Sequence, residues 1–115
     1  MTRHDDVVRF HHMLDYARIA RRLSGSRDRT ELDNDDELRL ALTRAVEVIG
    51  EAAAKVTDQG RREHPDIQWR LIVATRHRLI HGYDAVDLDL LWSIVRDDLP
   101  TLISQLEDAL GRAKD

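Results

Sequence analysis

The chain has 115 residues, 42% of them hydrophobic and 35% charged, with a formal net charge of −4 and no cysteine. That length suits one domain, residues 1–115, able to bury roughly two-thirds of its unfolded surface. An acidic balance argues against a general nucleic-acid coating protein, and the lack of cysteine excludes disulfides and thiolate metal sites.

No apolar run approaches the roughly 18 residues needed to span a membrane, and the opening MTRHDDVVRF lacks the apolar core of a secretory signal. A cytoplasmic address without membrane attachment is therefore expected. Aromatic residues are only 4% of the chain, so the core must be mainly Leu, Ile, Val and Ala. Leu and Ala also favour helix.

A first helix is predicted from about Asp5 to Leu23, ended by Ser24-Gly25-Ser26. Phe10, Met13, Leu14, Ala17 and Ala20 form its apolar stripe. The polar stretch Arg27 to Asp36 allows a short helical turn around Thr30-Glu31-Leu32. A second long helix should start near Asn34 to Asp36, where acidic side chains cap it, and run to about Thr57. Its stripe is Leu38, Leu42, Ala45, Ile49, Ala52 and Val56. Gly50 inside it costs about 1 kcal/mol relative to Ala and suggests close approach of another backbone. Glu51 is placed to pair with Lys55 at i, i+4.

Gln59-Gly60 should end that helix, Arg61 to Pro65 should connect, and Asp66 should cap a third helix carrying WRLIVATRHRLIHGY, Trp69 to Tyr83. Asp87 should cap a fourth, from about Leu88 to Leu110, kinked or restarted at Pro100 because proline cannot donate to the carbonyl of Arg96. Asp98 is placed to cap the restart. The predicted fold is all-α: an antiparallel bundle of four main helices.

Charge is distributed unevenly. Residues 61–83 hold Arg61, Arg62, Arg70, Arg76, Arg78 and three histidines against Glu63 and Asp66, whereas residues 84–108 hold seven acidic residues against Arg96 alone. A basic patch beside an acidic element permits local binding of an anion and separate contact with a basic partner.

In the third helix Trp69, Ile72, Val73 and Ile80 share one face, and Arg76 falls in the same series. A guanidinium inside an apolar stripe is uncommon because it needs a partner. His77 and His81 stand together on a neighbouring face. At roughly 100° per residue, Arg76 and His81 lie about 140° apart on an ideal helix. They can address one ligand only if the helix loosens near its end, where Gly82 is a stop signal, or if a second chain completes the site. Plainer readings remain open: Arg76 as a snorkelling or paired structural residue, His81 as a cation favoured at a helix end, Tyr83 as a half-buried core ring. His77 and His81 also have a zinc-compatible spacing, but Arg78 stands where the metalloprotease motif has glutamate, and no third ligand follows nearby.

The spacing Arg76–x4–His81–x–Tyr83, together with RAVEVIGEAAAKV (Arg44 to Val56), the upstream Trp69 and LLWSIVRDDLPTL in the last helix, resembles the HEPN superfamily, in particular its HepT-like branch of small toxins. The resemblance covers most of the chain. It implies a metal-independent endoribonuclease with no cofactor, acting as a homodimer whose signature helices meet in a cleft. It further implies a type VII-like toxin–antitoxin pair with a minimal nucleotidyltransferase as antitoxin. The motif arginine and histidine map onto Arg76 and His81. The motif tyrosine maps onto Tyr83, which in some such proteins accepts AMP from the antitoxin. His77 fits the polar residue that follows the arginine.

The chemistry suits those residue types. Cleaving RNA without a metal requires taking a proton from the 2′-OH, protonating the 5′-oxygen and neutralising the phosphorane. Imidazole exchanges protons near neutral pH, and arginine presents paired donors to phosphate oxygens. One His81 per chain supplies one proton-transfer group, and a dimer supplies two. A 2′,3′-cyclic phosphate product is expected, with Arg70 and Arg78 steering the RNA substrate. The competing reading is a non-catalytic module that holds a nucleotide or RNA without cutting it. A purely structural interaction partner, using Trp92 and the acidic last helix, is a third.

Overall fold

The computed structural model describes residues 2–81 and 85–113, with His81 and Ala113 described by backbone only. Its helices are α1 (His4–Ser24), α2 (Glu31–Asn34), α3 (Asp36–Ala54), α4 (Asp58–Glu63), α5 (Trp69–Leu79), α6 (Leu88–Ser93) and α7 (Leu99–Ala113). A π-helical turn, Ile94–Asp98, joins α6 to α7, so α6, that turn and α7 act as one long helix. The strands β1 (Ile80–His81) and β2 (Ala85–Val86) pair antiparallel, with Ile80 opposite Val86 and His81 opposite Ala85. The architecture is the expected all-α bundle. Helix α1 packs on α3 and α7, and α3 packs on α5.

The apolar stripes of α1 and α3 are buried as their spacing demands, and they join Leu91, Val95, Leu99, Leu102 and Leu106 of the last helix in one cluster. Capping fixes where elements start. The Asp35 carboxylate accepts from the Leu38 N–H at 3.0 Å and opens α3, and Asp87 does the same for α6 through Leu90 at 3.0 Å. Among the described residues no helix is long and apolar enough to cross a membrane.

Several local expectations are corrected. Residues Arg61 to Glu63 are not an irregular connector but the end of α4, which Thr57 caps by accepting from the Gly60 N–H at 3.0 Å. Gly60 therefore does not stop a helix. It makes room: a β-carbon there would collide with the carboxylate of Asp6. That carboxylate is 1% exposed and accepts from the Thr57 N–H at 3.0 Å and the Thr57 hydroxyl at 2.5 Å.

Asp66 does not cap α5. It lies inside a turn closed by Ile67 N–H to His64 O at 3.3 Å, and Gln68 takes the cap position without a side-chain bond. Glu51 pairs with Arg44 at 3.3 Å rather than with Lys55.

Before Pro100 the expected irregularity takes the form of a π turn rather than a restart, and Asp98 caps nothing because that turn carries the backbone through. The Leu99 N–H reaches Ile94 O, five residues back. In that register proline's missing N–H orphans Val95 O rather than Arg96 O. The Arg21 guanidinium donates to Val95 O at 3.2 Å and supplies the missing bond.

Candidate active site on helix α5

Two different constraints hold the ends of α5. At its start, Trp69 is 6% exposed, donates its indole N–H to His64 O at 3.0 Å, and stacks on Phe10 with ring centroids 5.8 Å apart. At its end, Leu79 is buried and Ile80 turns to extended backbone at φ −109° and ψ 121°. The Asp87 N–H donates to Leu79 O at 2.8 Å and ties the hairpin to the helix terminus.

The helix thus stops at Leu79 and not at Gly82. A β-branched residue that pairs with Val86 ends it. His81 belongs to β1, so the 140° separation of an ideal helix does not apply between Arg76 and His81. Gly82 and Tyr83 lie outside the described residues.

Arg76 sits in the last turn, half-buried, with its stem against Gly50 of α3. A β-carbon at Gly50 would lie 2.9 Å from Arg76 Cβ, 3.1 Å from Cδ and 3.2 Å from Cγ. What comes close to Gly50 is therefore an arginine side chain. Among the described residues no carboxylate or carbonyl partners the Arg76 guanidinium, although Arg18, Arg27, Arg29, Arg39, Arg44 and Arg112 each pair with a carboxylate. The last turn holds Arg76, His77 and Arg78, cations at the negative end of the helix dipole. Arg70, His77 and Arg78 are exposed. The structure thus places Arg76, His77 and Arg78 within one turn and leads directly into His81, whereas Arg70 lies at the opposite end of α5.

Leu71 is 50% exposed, and Ile72 and Val73 are only half-buried, so α5 covers less of its apolar face than its periodicity suggests. Beside it, α3, α5 and α7 enclose a groove of about 300 Å³ walled by Val46, Ile49, Ile72, Leu99 and Leu102, with Asp97 and Asp98 also lining it. Desolvation, and then the neighbouring Asp97, push the Asp98 carboxyl above its usual range.

The sequence pattern common to ribonuclease HepT-like proteins matches residues 13–109, which contain α5 and the hairpin that follows it. The chain belongs to the ribonuclease HepT-like family. A probable ribonuclease HepT of Thermococcus cleftensis is 40% identical over 73 residues, covering 64% of this HepT-like chain and 66% of that protein. A candidate RNase of Methanocaldococcus jannaschii is 33% identical over 103 residues, covering 90% of this chain and 83% of that protein. A longer protein of the same organism, named as a gamma-glutamylcyclotransferase and candidate RNase, is 27% identical over 104 residues, 47% of its length. No solved structure matches the chain significantly.

Proposed function

We propose that this HepT-like chain is a metal-independent endoribonuclease toxin, one domain across residues 1–115, that cuts RNA in a cleft between two copies. The observation that carries the reading is the Arg76 guanidinium, half-buried on Gly50 and unpartnered among the described residues, one helix end away from His81. A desolvated cation without a counterion is poised for an anion, and donors placed in advance around developing charge are often the largest catalytic term. In this reading Arg76 binds the scissile phosphate and stabilises the phosphorane. His81 of one copy takes the 2′-OH proton and His81 of the other protonates the 5′-oxygen. The products are a 2′,3′-cyclic phosphate and a 5′-hydroxyl, and no cofactor or metal takes part. His77, Arg70 and Arg78 support the substrate.

The half-covered face of α5 and its exposed Leu71 favour a homodimer. A cytoplasmic minimal nucleotidyltransferase antitoxin would silence the toxin by transferring AMP to Tyr83. The test is RNA cleavage in EDTA by wild type, Arg76→Ala and His81→Ala. Wild type is expected to cut and to leave cyclic phosphate ends, while each variant loses at least 100-fold, the usual scale for one such group. Equal residual cleavage by all three would remove the enzyme claim and leave a binding module. Incubation with ATP and the antitoxin should add one AMP to wild type and none to Tyr83→Phe.

A further inference from the structure

A second basic feature lies at the start of α5. Between α4 and the first turn of α5 is an open hollow of about 620 Å³, lined by Asp58, Arg61, Arg62, Gln68, Arg70 and Leu71 among others. Its three arginines are in different states. Arg61 is half-buried and donates from Nη2 to Ala53 O at 3.0 Å, which closes the end of α3, while its Nε is buried without a partner among the described residues. Arg62 and Arg70 are exposed, and neither pairs with a carboxylate among the described residues. Asp58 lines the hollow but bridges to none of the three.

From the hollow the exposed face of α5 runs to His77 and Arg78 in the last turn, the turn that also holds Arg76, whose own stem faces Gly50 of α3. On an ideal helix Arg70 and His77 point within about 20° of each other, and Arg70 and Arg78 are about 12 Å apart along the axis. The exposed residues on this face are Arg70, Leu71, Ala74, His77 and Arg78, with no carboxylate among them. Trp69 lines the hollow, but it is buried and its N–H is spent on His64 O, so it offers no platform on which a base could stack. The strip is built to follow a phosphate backbone without reading bases.

We infer that this hollow is a second phosphate subsite, which grips the RNA backbone away from the scissile bond. Arg62 and Arg70 are the donors, and Arg61 is fixed behind them as a standing positive charge. The subsite rests on the proposal that the chain acts on RNA, and it extends the substrate's path from the Arg76 end of α5 to its beginning.

The test is fluorescence anisotropy of a labelled, mixed-sequence single-stranded RNA titrated with the His81→Ala chain across a salt series. The same titration is run with Arg62→Gln and Arg70→Gln added singly and together. With both removed, affinity at low salt should fall at least tenfold. The slope of log affinity against log salt should shrink by roughly 1.4, or about 0.7 for each single-strand phosphate no longer neutralised. Each single change should remove about half of that slope difference, and Arg18→Gln, whose arginine pairs with Glu107, should change neither quantity.

Both arginines are exposed, so a circular dichroism melt should stay unchanged, and the single variants serve if the double one does not fold. Unchanged affinity and slope in the variants, with wild type still cutting RNA, overturns the subsite and leaves the nuclease reading standing. Reduced binding in the variants with a wild type that cuts nothing supports the subsite and sinks the nuclease reading. Polyglutamate that displaces the RNA as well as unlabelled RNA of equal charge overturns the assignment to a phosphodiester.

Discussion

The two ends of α5 are built on opposite terms. At the Trp69 end an aromatic ring is enclosed, its one polar atom has a partner, and the turn before it is closed by His64. At the Arg76 end a cation is left half-buried with no counterion among the described residues, and the helix hands over to a two-residue strand. Satisfied polar groups in a packed surrounding hold an element in place. An unsatisfied cation on the same element is a site waiting for something from outside. The difference teaches that the packed face of α5 is fixed at its Trp69 end and leaves a cation without a counterion among the described residues at its Arg76 end.

The strongest way to break that contrast is Trp69→Ala. Deleting a buried aromatic should cost about 3–5 kcal/mol, lowering the urea midpoint sharply and taking activity with it. Arg76→Ala should do the reverse. It removes no ion pair or hydrogen bond among the described residues, so stability should move by less than about 1 kcal/mol, while RNA cleavage drops by about 100- to 1,000-fold. Equal stability losses from the two changes would mean that the ends do not differ as described.

Gly50→Ala tests the seat of Arg76 and is expected to be milder. Replacing a mid-helix glycine should gain about 1 kcal/mol in propensity. Against that stands a β-carbon 2.9 Å from Arg76 Cβ, and overpacking of this kind costs about 1–3 kcal/mol. The net change in stability should be small and unfavourable, with a clear loss of cleavage as the guanidinium is displaced. A Gly50→Ala chain that is both more stable and fully active would show that Arg76 does not depend on this neighbour.

Much of this is legible in the sequence because it is periodic. The stripes of α1, α3 and the last helix and the caps at Asp35 and Asp87 all follow from spacing. What escapes depends on meetings between distant residues. Asp6 reads as a surface acid in the first turn of α1, and only tertiary packing brings it under Thr57 and Gly60. Gly60 reads as a helix stop, yet it is a gap left for that carboxylate. Gly50 signals a close approach, but not that the visitor is an arginine. Periodicity puts the end of α5 too late because the apolar series continues through Ile80, and cross-strand pairing with Val86 is invisible to a helical repeat. The basic character of residues 61–83 is legible as charge, but not that Arg61, Arg62 and Arg70 line one hollow across the turn between α4 and α5.

The gentlest test is pH, which acts on the anchored end. His64 is 3% exposed, its ring meets Phe10 edge-on at 5.1 Å, its Nε2 lies 3.2 Å from the Thr2 hydroxyl, and its Nδ1 has no partner among the described residues. Burial, and then the charge of Arg112, push its pKa below the ordinary 6.5, with Glu63, Asp66 and Asp108 opposing more weakly. A histidine that binds its proton less readily when folded favours unfolding as protons become available. Its contribution is therefore complete above about pH 6.5 and is lost as the pH falls from there toward the folded value. Asp98, whose folded pKa is raised, works in the opposite sense further down, because protonation there favours the folded chain. Melting temperature should fall from pH 7 toward pH 5.5 in wild type and fall less in His64→Gln, which cannot take up the proton. Because His64 holds Trp69 through its backbone carbonyl rather than its ring, the substitution should leave the site at the far end of α5 intact. An identical pH slope in the two proteins would place the acid sensitivity elsewhere in the chain.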